Sequence, residues 1–75
     1  MNKKEIDACL GWNIRSGKGF YYKGKKYDGV AYLDDCIEIH VCWDINSIVY
    51  INYEDIEKIE NVRMENKLQK VIFTK

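Results

Sequence analysis

Residues 36–43, Cys-Ile-Glu-Ile-His-Val-Cys-Trp, constrain this chain more than any other stretch. Ile37, Ile39, Val41 and Trp43 alternate without a break with Cys36, Glu38, His40 and Cys42. Successive side chains of a strand point to opposite faces, so this period demands a strand with one apolar face. Trp43 is expected on the core side of that strand. Cys36, Glu38, His40 and Cys42 are expected on the other.

The neighbouring segments extend the β reading. Asp44-Ile-Asn-Ser47 has the chemistry of an Asx turn, and Ile48–Tyr53 is apolar enough on both sides to be a central strand. Asp34-Asp35 is a second turn signal. Residues 19–22 and 26–33 carry aromatic and β-branched side chains around a turn at Lys23-Gly24-Lys25, which reads as a hairpin. Residues 54–60 read as one helical turn leading into a short strand, with Ile56 and Ile59 inward. Residues 61–67 read as a polar connection, and 68–74 as a closing strand with Val71 and Phe73 on one face. At the start, Ile6, Cys9 and Leu10 suit a short helix over residues 3–10, and the same residues suit a first strand. The expected fold is mainly β. It is a small antiparallel barrel or bent sheet of roughly five or six strands, with room for one short N-terminal helix.

The chain has 75 residues, which is one domain over 1–75 at most. Domains this small bury only about 60% of their unfolded surface, so a homodimer is one way to add buried area. Three cysteines, an odd number, suit a reducing compartment better than a disulfide framework. Residues 1–12 are basic but lack the apolar segment of a signal peptide. No apolar run reaches the roughly 18 residues that span a bilayer. A soluble, cytoplasmic protein without a membrane partner is expected. Ten lysines against two arginines is the bias of AT-rich genomes, and a phage or mobile-element origin is expected from it.

The stretch 24–60 resembles the middle of an Sm-like or SH3-like barrel. Gly29 marks a bent strand, Asp34 and Asp35 form an acidic turn, and an alternating strand follows over 37–43. Tyr53, Ile56 and Ile59 then match a Y-x-x-I-x-x-I segment. The Asn-bearing loop with which Sm proteins hold uracil-rich RNA has no counterpart here, so neither their ring nor their RNA site is implied. The stretch 11–22 also resembles the opening of cold-shock domains through Trp12, Asn13, Lys18, Gly19, Phe20 and Tyr22. Its spacing departs from theirs, and the aromatic second motif is replaced by residues 37–43.

Two binding chemistries can be placed on residues. Formal charge is zero overall but unevenly spread. Residues 1–27 carry seven Lys/Arg against two acids, a net of +5, and residues 28–75 carry five against ten, a net of −5. A bipolar surface is expected. Its acidic side, Asp34, Asp35, Asp44, Glu54, Asp55 and Glu57, would dock on a basic surface of a host protein by electrostatic complementarity. This leads to the first expectation, a non-enzymatic protein-binding modulator such as a phage or mobile-element inhibitor. The alternative is a single-stranded nucleic-acid module in the stretch 15–27. Lys18, Lys23, Lys25 and Lys26 would meet phosphates, while Phe20 and Tyr22 would stack on bases. The opposing expectation for that stretch is a solvated hairpin whose rings face the core. Cys36, His40 and Cys42, with Cys9, could in principle supply zinc ligands, but the C-x-x-C spacing of structural zinc sites is absent. No metal, cofactor or catalytic residue is assigned.

Overall fold

A computed structural model describes residues 1–75. Helix α1 spans Lys3–Arg15. Asn2 caps it: its side chain accepts the Glu5 N–H, and the Glu5 carboxylate accepts the Asn2 N–H, satisfying two otherwise unpaired donors. Ile6, Leu10 and Ile14 recur every four residues, and that face meets the core. This resolves the ambiguous N-terminal segment as helix, and carries it five residues beyond the expected stretch. The helix stops at Ser16. Gly17 N–H donates to Ile14 O at 3.2 Å and Lys18 N–H to Asn13 O at 2.9 Å, the paired bonds of a Schellman motif.

Seven strands follow: β1 Phe20–Tyr22, β2 Lys25–Tyr27, β3 Gly29–Tyr32, β4 Cys36–Val41, β5 Asp44–Asn52, β6 Ile56–Met64 and β7 Lys67–Thr74. A 3-10 turn, Tyr53–Asp55, separates β5 from β6. The strands form a four-stranded sheet in the order β2-β1-β7-β6 and a three-stranded sheet in the order β3-β4-β5. Only Asp28 separates β2 from β3, so the chain bends there from one sheet into the other. The mainly β expectation is met by two bent sheets that do not close into one barrel. All pairs are antiparallel except β1 with β7, where Tyr21 faces Val71 and Tyr22 faces Ile72. Ile6, Leu10, Phe20, Tyr27, Ile37, Ile39, Ile51, Ile56 and Ile72 are the buried apolar residues, drawn from the helix and both sheets. No helix is long and apolar enough to cross a membrane.

Four local expectations are corrected. The arm expected over 26–33 breaks at Asp28 into β2, which pairs with β1, and β3, which pairs with β4. The strand expected to be central at 48–53 lies at the edge of its sheet, as part of β5. Residues 61–64 are not a connection but the second half of β6, paired with β7 in register from Asn61↔Lys70 to Met64↔Lys67. The reversal takes only Glu65 and Asn66, both at positive φ, as a tight twisted hairpin turn requires. The turn expected at 44–47 lies two residues earlier, at Cys42-Trp43. Asp44 does accept the Asn46 N–H at 3.0 Å in Asx fashion, but inside the first residues of β5. Ser47 is buried there and holds the turn. Its hydroxyl accepts the Val41 N–H at 2.7 Å and donates to Asp44 O at 2.8 Å.

Candidate functional site

Three surfaces collect the residues that could bind. The first is acidic. Asp34 and Asp35 in the β3–β4 turn, with Asn52, Tyr53 and Glu54, line one shallow cleft. Tyr53 brings the two segments together: its N–H donates to Asp35 O at 3.2 Å and its phenol to Leu33 O at 2.7 Å. Burial, then the charges of Cys36 and Asp34, raise the Tyr53 phenol above its ordinary pKa, against the lowering effect of the bond to Leu33 O. The N-terminal ammonium donates to Tyr53 O at 3.0 Å and Ile56 O at 3.1 Å, tying the start of the chain to the same turn. Lys3 approaches Asp34 at 3.9 Å, and both side chains are largely exposed, so little charge is neutralised. Asp35 and Glu54 have no ion-pair partner. Asp55 and Glu57 follow Glu54 directly and are exposed and unpaired as well.

Asp44 does not belong with them. It follows β4, whereas Asp34 and Asp35 precede it, and six residues of strand separate the two ends by about 20 Å. The acidic turns therefore converge at 34–35 and 52–54 but not at 44–47.

The second surface is basic. Lys18, Lys26 and Lys67, with Leu68 and Gln69, line another shallow cleft. Lys67 comes from the acidic half of the sequence; the β1–β7 pairing carries it here, so the fold partly interleaves the two halves. Among the aromatic residues of β1 and β2, Phe20 and Tyr27 face away from solvent, whereas Tyr21, opposite Lys26, and Tyr22 are half-buried. Phe20 is fully buried and stacks on buried Tyr27 with centroids 6.1 Å apart. Tyr22 is half-buried against the core. Lys23 lies 5.5 Å from the centre of the Tyr22 ring and Lys25 lies 5.6 Å from that of Tyr27, where a stacked base would need to sit. Phe20 is thereby corrected from a base-stacking residue to a core residue, because its side of β1 faces the core that Ile6 and Leu10 of α1 and Ile37 and Ile39 of the other sheet also enter.

The third surface is apolar and was not expected. Trp43 is fully exposed at 103% and Ile45 is 85% exposed. They meet Ile48, Val41, His40, Glu38 and Asp44 around one shallow pocket at the β4–β5 hairpin. Tyr50, also exposed, donates its phenol to Glu38 Oε1 at 3.1 Å, and that bond raises the Tyr50 pKa. Trp43 is corrected from core to surface. β4 ends at Val41, and Trp43 occupies the turn at φ +69°, where strand alternation no longer governs its direction.

No family model, curated protein or solved structure matches the chain.

The cysteines are all free. Cys36 and His40 share the outer face of β4 with Glu38, as alternation requires, but Cys42 leaves that face at the turn. Its N–H donates to Asp28 Oδ1 at 2.7 Å, and a bond from its thiol to the same carboxylate raises the thiol pKa. No three His, Cys, Asp or Glu side chains gather in an arrangement that could hold a metal ion.

Proposed function

We propose that the protein is a non-enzymatic protein-binding modulator that docks its acidic cleft on a basic surface of another protein. The observation that carries this reading is the convergence of three carboxylates, Asp34, Asp35 and Glu54, on one cleft, with Lys3 and the N-terminal ammonium as the cations beside it. Unneutralised carboxylates held in a fixed arrangement steer a cationic partner and set its orientation. Asp55 and Glu57 extend the field, and Asp44 is left out of it. An SH3-like or Sm-like scaffold is part of the proposal. Its support is the order of elements: a bent strand at Gly29, the acidic turn, β4, β5, the 3-10 turn at Tyr53 and β6. The test is charge reversal at Asp34, Asp35, Glu54 and Glu57, all exposed and outside the core. Proteins retained by the immobilised wild type and released by moderate salt should be lost to the variant. If the variant retains every one of them, the proposal fails.

A second reading rests on the cleft of Lys18, Lys26 and Lys67. It is a single-stranded nucleic-acid site that holds phosphates without stacking bases on Phe20 or Tyr22, since Phe20 is buried and Tyr22 is half-buried with Lys23 over its ring. Such binding must fall steeply with salt. Labelled oligonucleotides at low ionic strength, where attraction is strongest, decide it. Binding that Lys26→Glu with Lys67→Glu abolishes supports this reading, and no binding to the wild type removes it.

A further inference from the structure

Residues 27–57 contain eight Asp/Glu and no Lys or Arg. They supply all of β3, β4 and β5, so the three-stranded sheet carries acidic side chains, with His40 its one basic residue. The same sheet carries the two most exposed large apolar side chains, Trp43 and Ile45. Beyond the pair Ile39↔Val49 the register of β4 and β5 shifts, and residues 45–48 bulge opposite His40 before Val41 meets Asp44. A bulge interrupts a strand edge and re-aims its side chains. Here it gathers Trp43, Ile45 and Ile48 around the pocket that Glu38, His40 and Asp44 also line. Glu38 is held in place: Oε1 accepts the Tyr50 phenol at 3.1 Å, and Oε2 lies 3.9 Å from His40 Nδ1. The His40 ring lies over Gly29 of β3, where an added Cβ would overlap it. From the pocket the outer face continues through Tyr50, opposite Glu38, to Asn52, which lines the acidic cleft. One strip of surface, about 20 Å long over the six residues of β4, thus joins an apolar end to an acidic end.

We propose that this strip docks a cationic amphipathic segment of a partner protein. The segment's apolar side chains cover Trp43, Ile45 and Ile48, and its Lys or Arg side chains meet Glu38 and Asp44. A basic protein partner is the premise shared with the acidic cleft, on whose reading this site rests; the apolar anchor beside the cleft is what is added. Charge selects the occupant. No Lys or Arg of this chain lines the pocket, so Glu38 and Asp44 are left for a partner's cations. A second copy seated on the same face would set these carboxylates against their like. A phosphate backbone or an anionic lipid surface meets the same repulsion. A neutral apolar partner would strip water from both carboxylates and put nothing in its place. A segment that is apolar on one side and cationic at its margins satisfies both parts of the surface. An exposed Trp among apolar neighbours, rimmed by charge, has the composition of a binding hot spot. The length fits a helix, since about 13 residues span 20 Å.

The probe is a labelled synthetic Leu/Lys peptide with leucines at helical i, i+3, i+4 and i+7 spacing. Its binding is read by fluorescence anisotropy, with a reductant present because Cys42 is exposed. Saturable binding in the micromolar range is expected. In a Trp12→Phe background, Trp43 emission should shift to the blue as the ring loses water. Trp43→Ala, at a side chain outside the core, should weaken binding at least about tenfold. Ile45→Ser should weaken it as well, and carries the test if Trp43→Ala does not fold. A Leu/Glu peptide of the same spacing should not bind. A Leu/Lys peptide of the same composition without an apolar face should bind at least about tenfold more weakly. No saturable binding of the first peptide overturns the proposal. So does binding that folded Trp43→Ala or Ile45→Ser leaves unchanged, or equal binding of the Leu/Glu peptide. Trp43 emission that shifts with protein concentration alone, and not with peptide, assigns the face to a second copy and overturns it too. The acidic cleft is judged separately: proteins lost to charge reversal at Asp34, Asp35, Glu54 and Glu57 but retained by Trp43→Ala overturn the apolar anchor and leave the cleft standing.

Discussion

Gly17 and Gly19 offer a matched pair for testing how tightly the helix exit packs against the first hairpin. Both hold left-handed backbone, at φ +76° and +70°. An added Cβ at Gly17 meets nothing within 4 Å. At Gly19 it would lie 2.5 Å from Tyr27 O and 3.2 Å from the Lys26 side chain. The conformational strain of an L residue there, about 1–2 kcal/mol, is common to both positions. The additional term belongs to Gly19 alone. Tyr27 O is backbone of β2, which pairs with β1 through Phe20↔Tyr27, and the Tyr27 ring stacks on Phe20. Relieving the overlap means shifting part of the core, at about 1–3 kcal/mol by analogy with overpacking. Gly17→Ala is therefore expected to cost about 1–2 kcal/mol, and Gly19→Ala about 2–5 kcal/mol. A domain of this length has a total stability of roughly 4–11 kcal/mol, so the second variant stands near unfolding. Urea denaturation followed by far-UV circular dichroism, at one low protein concentration, measures both. In thermal terms each kcal/mol is about 4–8 °C. If the two variants unfold at the same urea concentration, the close approach of residue 19 to Tyr27 is refuted.

Ser47→Ala is expected to cost about 1–3 kcal/mol, because it removes the buried hydroxyl that accepts the Val41 N–H and donates to Asp44 O at the turn; a loss under a few tenths in urea denaturation contradicts that role. Asn2→Ala removes one half of the capping box and should cost about 1 kcal/mol, read from the same denaturation curves. Burial, then Asp7, push the Tyr32 phenol up to about 12 from 10.0. The folded state keeps that proton where the unfolded chain has lost it, so stability is full below pH 10.0 and falls as pH rises through about 12. Tyr32→Phe should make the alkaline fall shallower in thermal melts. An unchanged slope would show that the other phenols, Tyr50 and Tyr53, account for all of it.

What could be read from the chain alone is what short-range physics controls. Period two at Ile37 and Ile39 requires a strand with one buried face, and both residues are buried. Lys23-Gly24 turns the first hairpin, with both residues at positive φ. Asp34-Asp35 turns the next. These features depend on neighbours within a few residues, so composition and spacing reveal them. Residues 3–10 suit helix and strand alike, and it is the capping bonds between Asn2 and Glu5 that mark α1 as helix.

The surfaces depend on contacts between distant segments. The alternation through Cys42 and Trp43 continues past the end of β4. The strand stops where the Ser47 hydroxyl and the Asp28 carboxylate, 14 residues from Cys42, capture backbone N–H groups at the turn. That capture puts Trp43 in solvent and creates the apolar hairpin. Two bonds from Tyr53 bring Glu54 to Asp34 and Asp35, and leave Asp44 at the far end of β4. A parallel pairing between β1 and β7, some fifty positions apart, brings Lys67 to Lys18 and Lys26. Alternation and turn residues determined that this chain makes strands and where most of them reverse. Hydrogen bonds and pairings that close only in three dimensions decided which charges meet and which apolar side chains remain uncovered.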